Sequence, residues 1–153
     1  MGSCVDISRM MLLVTGIAKD WGIDTYQLPV VGCAPEWMSE KAVSIANYVV
    51  STGITARVSR NAIVEARKQG IKVGMLRPIT LWPFPKKAFQ AAAEKVKCFL
   101  SVELNMGQMK EDVELAIRCA RPVHLCYRVG GMIQTPDEVL EAIIKANEEG
   151  GQA

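Results

Sequence analysis

Aromatic residues make up only 6% of this 153-residue chain, so its core must be built mainly from Val, Ile, Leu, Ala and Met. No apolar run approaches the roughly 18 residues needed to span a bilayer, which argues against a membrane protein. The net charge is only +2, too small on its own to suggest a nucleic-acid binder. There is a single histidine, His124, and neither a C-x-x-C pair nor a G-x-G-x-x-G run, so redox-pair and dinucleotide fingerprints are both missing. No signal-peptide pattern follows Met1-Gly2-Ser3. The five cysteines, an odd number, then read as reduced thiols of a cytoplasmic protein. Cys98, Cys119 and Cys126 stand in apolar contexts, where a free Cys behaves as a small core residue.

What is present suits one folded domain. Half the residues are hydrophobic and 22% are charged, which excludes a disordered chain. The charge is uneven: residues 1–47 carry 3 Lys/Arg against 5 Asp/Glu, net −2, and residues 48–153 carry 15 against 11, net +4.

From residue 47 onward, short apolar runs alternate with helical spacings. Tyr48-Val49-Val50, Val73-Gly74-Met75-Leu76, Phe99-Leu100-Ser101-Val102 and Val123-His124-Leu125-Cys126-Tyr127 read as buried strands. Between them, Val58, Ala62 and Ala66 mark one helix, stopped by Gly70, and Phe89, Ala92, Ala93 and Val96 mark a second. A third helix is predicted from an Asn105 cap, with Gln108 three residues later, to Arg121-Pro122. Thr135-Pro136-Asp137-Glu138 predicts a fourth, with Thr at the cap, Pro at the first position and Glu at the third. Strands separated by amphipathic helices imply a parallel sheet covered on both faces, a three-layer α/β/α architecture. In the first 46 residues, Met10 to Ala18 and Ser39 to Ala46 are helix-compatible and Leu28-Pro29-Val30-Val31 is a strand candidate.

Two segments carry family resemblances. Gly53-Ile54-Thr55-Ala56-Arg57, the run from Gly70 through Leu76-Arg77-Pro78-Ile79-Thr80-Leu81-Trp82-Pro83-Phe84-Pro85, Val102 to Gln108, and Arg128-Val129-Gly130-Gly131 occur in the order found in one family. Residues 48–146 thus resemble the alpha subunit of 2-oxoacid:ferredoxin oxidoreductases of the 2-oxoisovalerate and 2-oxoglutarate types, in the domain similar to the transketolase C-terminal domain. The resemblance implies membership of an enzyme that uses thiamine diphosphate, CoA and iron–sulfur clusters. Its implied partners are other subunits or domains of that enzyme, and a homo-oligomer stays open. Met1-Gly2-Ser3-Cys4 with the following Val5 to Arg9, and Leu28 to Val43 around Gly32-Cys33-Ala34-Pro35, instead resemble nickel–iron carbon monoxide dehydrogenases. That resemblance makes Cys4 and Cys33 candidate cluster ligands, although the remaining ligands have no counterpart here. The chain thus reads as a chimera, with residues 1–47 a carbon monoxide dehydrogenase-like segment packed on the same sheet and 48–149 the transketolase-like domain.

Asn105, Gly107 and Gln108 place a helix N-terminus at a strand end, a geometry suited to an anion such as a phosphate or carboxylate. Gly130 and Gly131 permit close approach of a ligand. The plainer readings are an ordinary capped helix and a tight turn. His124 alternates with apolar neighbours on what reads as an inner strand and suits a structural role. Trp82-Pro83-Phe84-Pro85 reads as a rigid surface loop fit for a subunit contact, or as a plug over the sheet edge. The expected function is a non-catalytic structural or docking domain, inactive alone and needing no cofactor of its own. The alternatives are a metal-cluster-binding fragment and a fold chimera without activity.

Overall fold

A computed structural model describes residues 47–150. The strand candidates Tyr48–Val50, Val73–Leu76, Phe99–Val102 and Val123–Tyr127 appear as β1 (Asn47–Ser51), β2 (Val73–Leu76), β3 (Cys98–Glu103) and β4 (Val123–Tyr127). The helices are α1 (Gly53–Lys68), α2 (Lys86–Ala93), α3 (Gln108–Ala116) and α4 (Pro136–Glu149). All strand pairs are parallel and the sheet order is β2-β1-β3-β4, with Val49 opposite Met75 on one side and Leu100 on the other. Cys4, Cys33 and the elements expected in the first 46 residues lie outside the described residues.

Side chains alternate across a strand, so each strand feeds two cores. Val49, Leu100 and Val102 pack with Ile63 of α1 and Val139 and Ile143 of α4. Val50, Leu76 and Phe99 pack with Phe89 of α2 and Val113 of α3. The chain's three phenylalanines, Phe84, Phe89 and Phe99, all belong to this second layer, with ring centroids 4.9 Å and 6.2 Å apart along the series. The opposite layer is almost wholly aliphatic, as so few aromatics require. Both sheet faces are thus covered within the domain itself, the three-layer arrangement read from the alternation.

The helix ends show how far local signals reach. Gly70 at φ +84 ends α1 as expected. At Thr135 the capping box is complete: its hydroxyl accepts from the Glu138 N–H, and the Glu138 carboxylate accepts from the Thr135 N–H. Three expectations are corrected. Helix α3 starts at Gln108 and stops at Ala116, before Arg118 and Cys119, which both take φ +54, so Cys119 is exposed rather than core. The break falls where the buried stripe Met109, Val113, Ala116 and Ile117 ends. Among the described strands His124 lies on β4, at the edge rather than inside, with Nδ1 3.2 Å from Glu149 Oε2. The aromatic loop is half core: Trp82 is exposed, but Phe84 is buried against Phe89.

Candidate functional site

In a parallel sheet all strand carboxyl ends point one way, and helix N-termini meet them there. Here the chain moves outward from β1 to β2, then returns to place β3 on the other side of β1. The β1/β3 junction is therefore the topological switch point. A crevice of about 250 Å³ opens there, between the start of α1 (Thr52, Gly53, Ile54) and the start of α3 (Asn105, Gln108), with Glu103 and Asp112 in its wall.

The two helix starts differ. No side chain caps α1, and its first turn holds no acidic residue. At α3 the chain supplies its own anion. Glu103, the last residue of β3, is only 3% exposed. Its carboxylate accepts from Met109 N (2.8 Å) and Lys110 N (2.8 Å), and from the Ser101 hydroxyl (2.6 Å). Asn105 Oδ1 takes the two preceding amides, Gly107 N at 2.9 Å and Gln108 N at 3.0 Å. Asn105 thus bonds the approach to the helix from outside it, and the cap position falls on Gly107. Gly107 has φ +108, a backbone conformation that favours glycine, and a Cβ there would stand 3.0 Å from Leu125 Cδ2, so the leucine side chain would have to give way as well.

This satisfies the buried carboxylate, which would otherwise be costly. It also leaves the amides of Gly107 through Lys110 each with an internal acceptor. The Glu103 carbonyl is used as well, accepting from Gln134 Nε2 at 2.6 Å and Arg128 N at 3.1 Å, which ties β3 to the loop before α4. Asp112 stands near this wall, and its carboxyl is pushed up by desolvation and by the like charges of Glu111 and Glu103, against the pull of Lys86.

Of the five residues singled out as ligand contacts, Asn105 and Gln108 line the crevice. Gly107 is committed to the turn. Gly130 and Gly131, at φ +73 and +77, lie in the loop after β4, outside the crevice lining, with open space where a Cβ would be. Glu103 was missed because an acidic residue inside a strand run carries no periodic signal. Its pairing with amides six and seven residues on exists only once β3 meets α3.

Among the described residues, ten of the eleven exposed large hydrophobic side chains belong to segments at this same end of the sheet. Ile54 follows β1; Ile79, Leu81 and Trp82 follow β2. Leu104 and Met106 follow β3. Tyr127 ends β4, and Val129, Met132 and Ile133 follow it. Leu115, on α3, is the exception. Among the described residues, no cluster of three His, Cys, Asp or Glu could hold a metal, and no helix is long and apolar enough to cross a membrane.

Comparison with known proteins matches two families along the chain. Residues 46–139 match the pyruvate:ferredoxin oxidoreductase core domain II, and residues 1–74 match the Prismane/CO dehydrogenase family. The two matches overlap across β1, α1 and the start of β2. Ketoisovalerate oxidoreductase subunit VorB of Methanothermobacter marburgensis is 44% identical over 108 residues, 71% of this chain and 30% of VorB. Carbon monoxide dehydrogenase 1 of Methanosarcina mazei is 65% identical over 54 residues, 35% of this chain and 9% of that protein. The fold is similar to a split-gene transketolase in an inactive beta4 tetramer, with TM-score 0.59 and 16% identity over 68% of this chain and 39% of that one. The chain therefore spans less than a third of the curated relatives it matches, and it joins segments similar to two families. Through residues 46–139, it belongs to the pyruvate:ferredoxin oxidoreductase core domain II family.

Proposed function

We propose that residues 48–149 serve as a structural and docking domain of a thiamine-diphosphate-dependent 2-oxoacid:ferredoxin oxidoreductase alpha subunit, inactive when alone. Other subunits or domains of that enzyme would supply the cofactor sites. The observation that carries this reading is the state of the α3 start: Glu103 and Asn105 already occupy its four amides. A diphosphate entering the crevice would find their oxygens in place of free donors, with the Asp112 carboxylate in the same wall. The α3 start therefore offers thiamine diphosphate no free amide, and the uncapped α1 start is left as the other face of the crevice. The described thiols do not fit a cluster either: Cys98 is buried, Cys126 half-buried and Cys119 exposed, with no metal-binding group among the described residues. The side chains of Asn105 and Gln108 and the glycine turn at Gly130-Gly131 remain as contacts for a partner surface.

Residues 1–47 are proposed to pack on the same sheet, in a cytoplasmic protein. The identity of the first segment to a carbon monoxide dehydrogenase favours a second reading, in which Cys4 and Cys33 bind metal. Two thiolates fall short of the ligand set an iron–sulfur cluster needs. Two measurements on the anaerobically purified chain test the proposal. Calorimetry with thiamine diphosphate and Mg²⁺ should give no saturable heat, and metal analysis should find no stoichiometric nickel or iron. Saturable cofactor binding overturns the docking-domain reading. Bound metal lost on Cys33→Ala establishes the second one instead.

A further inference from the structure

We draw no further inference here: the strongest candidate, the crevice between the starts of α1 and α3, rests on the uncapped N-terminus of α1 with no second feature among the described residues that points to a ligand, because the buried and unpartnered hydroxyl of Ser51, the residue before that cap position, is not among the groups lining it.

Discussion

The two ends of the sheet solve the same problem in opposite ways. At the amino end, polar groups turn inward and pair. Asn47 Nδ2 donates to Asn147 Oδ1 at 2.8 Å, and the Cys98 thiol donates to Asn47 Oδ1 at 3.1 Å and lies 3.4 Å from the Ala146 carbonyl. His124 meets Glu149 nearby. The carboxyl-terminal turn of α4 thus closes that end. At the carboxyl end, Glu103 holds one helix start from within, and the loops above it turn apolar side chains outward. The difference teaches that polar groups paired between elements close one end, while apolar side chains stay exposed at the other. Three measurements can break or sharpen that contrast.

The largest effect should come from Glu103→Gln. The substitution keeps the size of a 3% exposed group but removes the charge that draws three donors. It also forces an amide N–H against one of them. Hydrogen bonds to buried charged groups contribute about 1.5–3 kcal/mol, so a loss of about 2–3 kcal/mol is expected. Urea midpoints of variant and parent that coincide would show that Glu103 does not anchor α3.

At the closed end, Asn47→Ala should cost about 1–2 kcal/mol, since it takes the donor from the Asn147 side-chain oxygen and leaves the Cys98 thiol only the Ala146 carbonyl. Coinciding urea midpoints of variant and parent would show that these bonds do not hold that end closed.

The smallest perturbation is chemical labelling. Burial pushes the Cys98 thiol up to about 11, and burial with the nearby Glu138 charge also raises Cys126. Near pH 8 only about a thousandth of Cys98 is thiolate, and the thiolate is the reactive form. Iodoacetamide should therefore modify the exposed Cys119 well before Cys98, as read by peptide mass spectrometry. Rapid labelling of Cys98 would show that the closed end opens.

Much of the fold was legible because it rests on short-range pattern. Continuous apolar runs mark β1 to β3, since a strand covered on both faces needs apolar side chains on both. Gly70 and the Thr135 box mark helix ends because their chemistry is complete within a few residues. The misplaced end of α3 has a different origin. Its helical periodicity continues weakly to Ala120, but burial stops at Ile117 and the backbone turns left-handed at Arg118. Likewise, apolar neighbours around His124 resemble those of an inner strand, and alternation alone does not say which strand lies at an edge.

Residue order and composition already held the parallel three-layer plan, the Thr135 cap and the likeness to two families, because each is carried by neighbours in sequence or by long specific motifs. The partnership of Glu103 with the α3 amides, the crevice between the starts of α1 and α3 and the exposure of apolar side chains at the carboxyl end required three-dimensional packing. All three depend on strand order, β2-β1-β3-β4, which brings groups distant in sequence to one end of a sheet. Local periodicity records which face of an element is buried. Where that element stands among its neighbours is decided by the contacts between them.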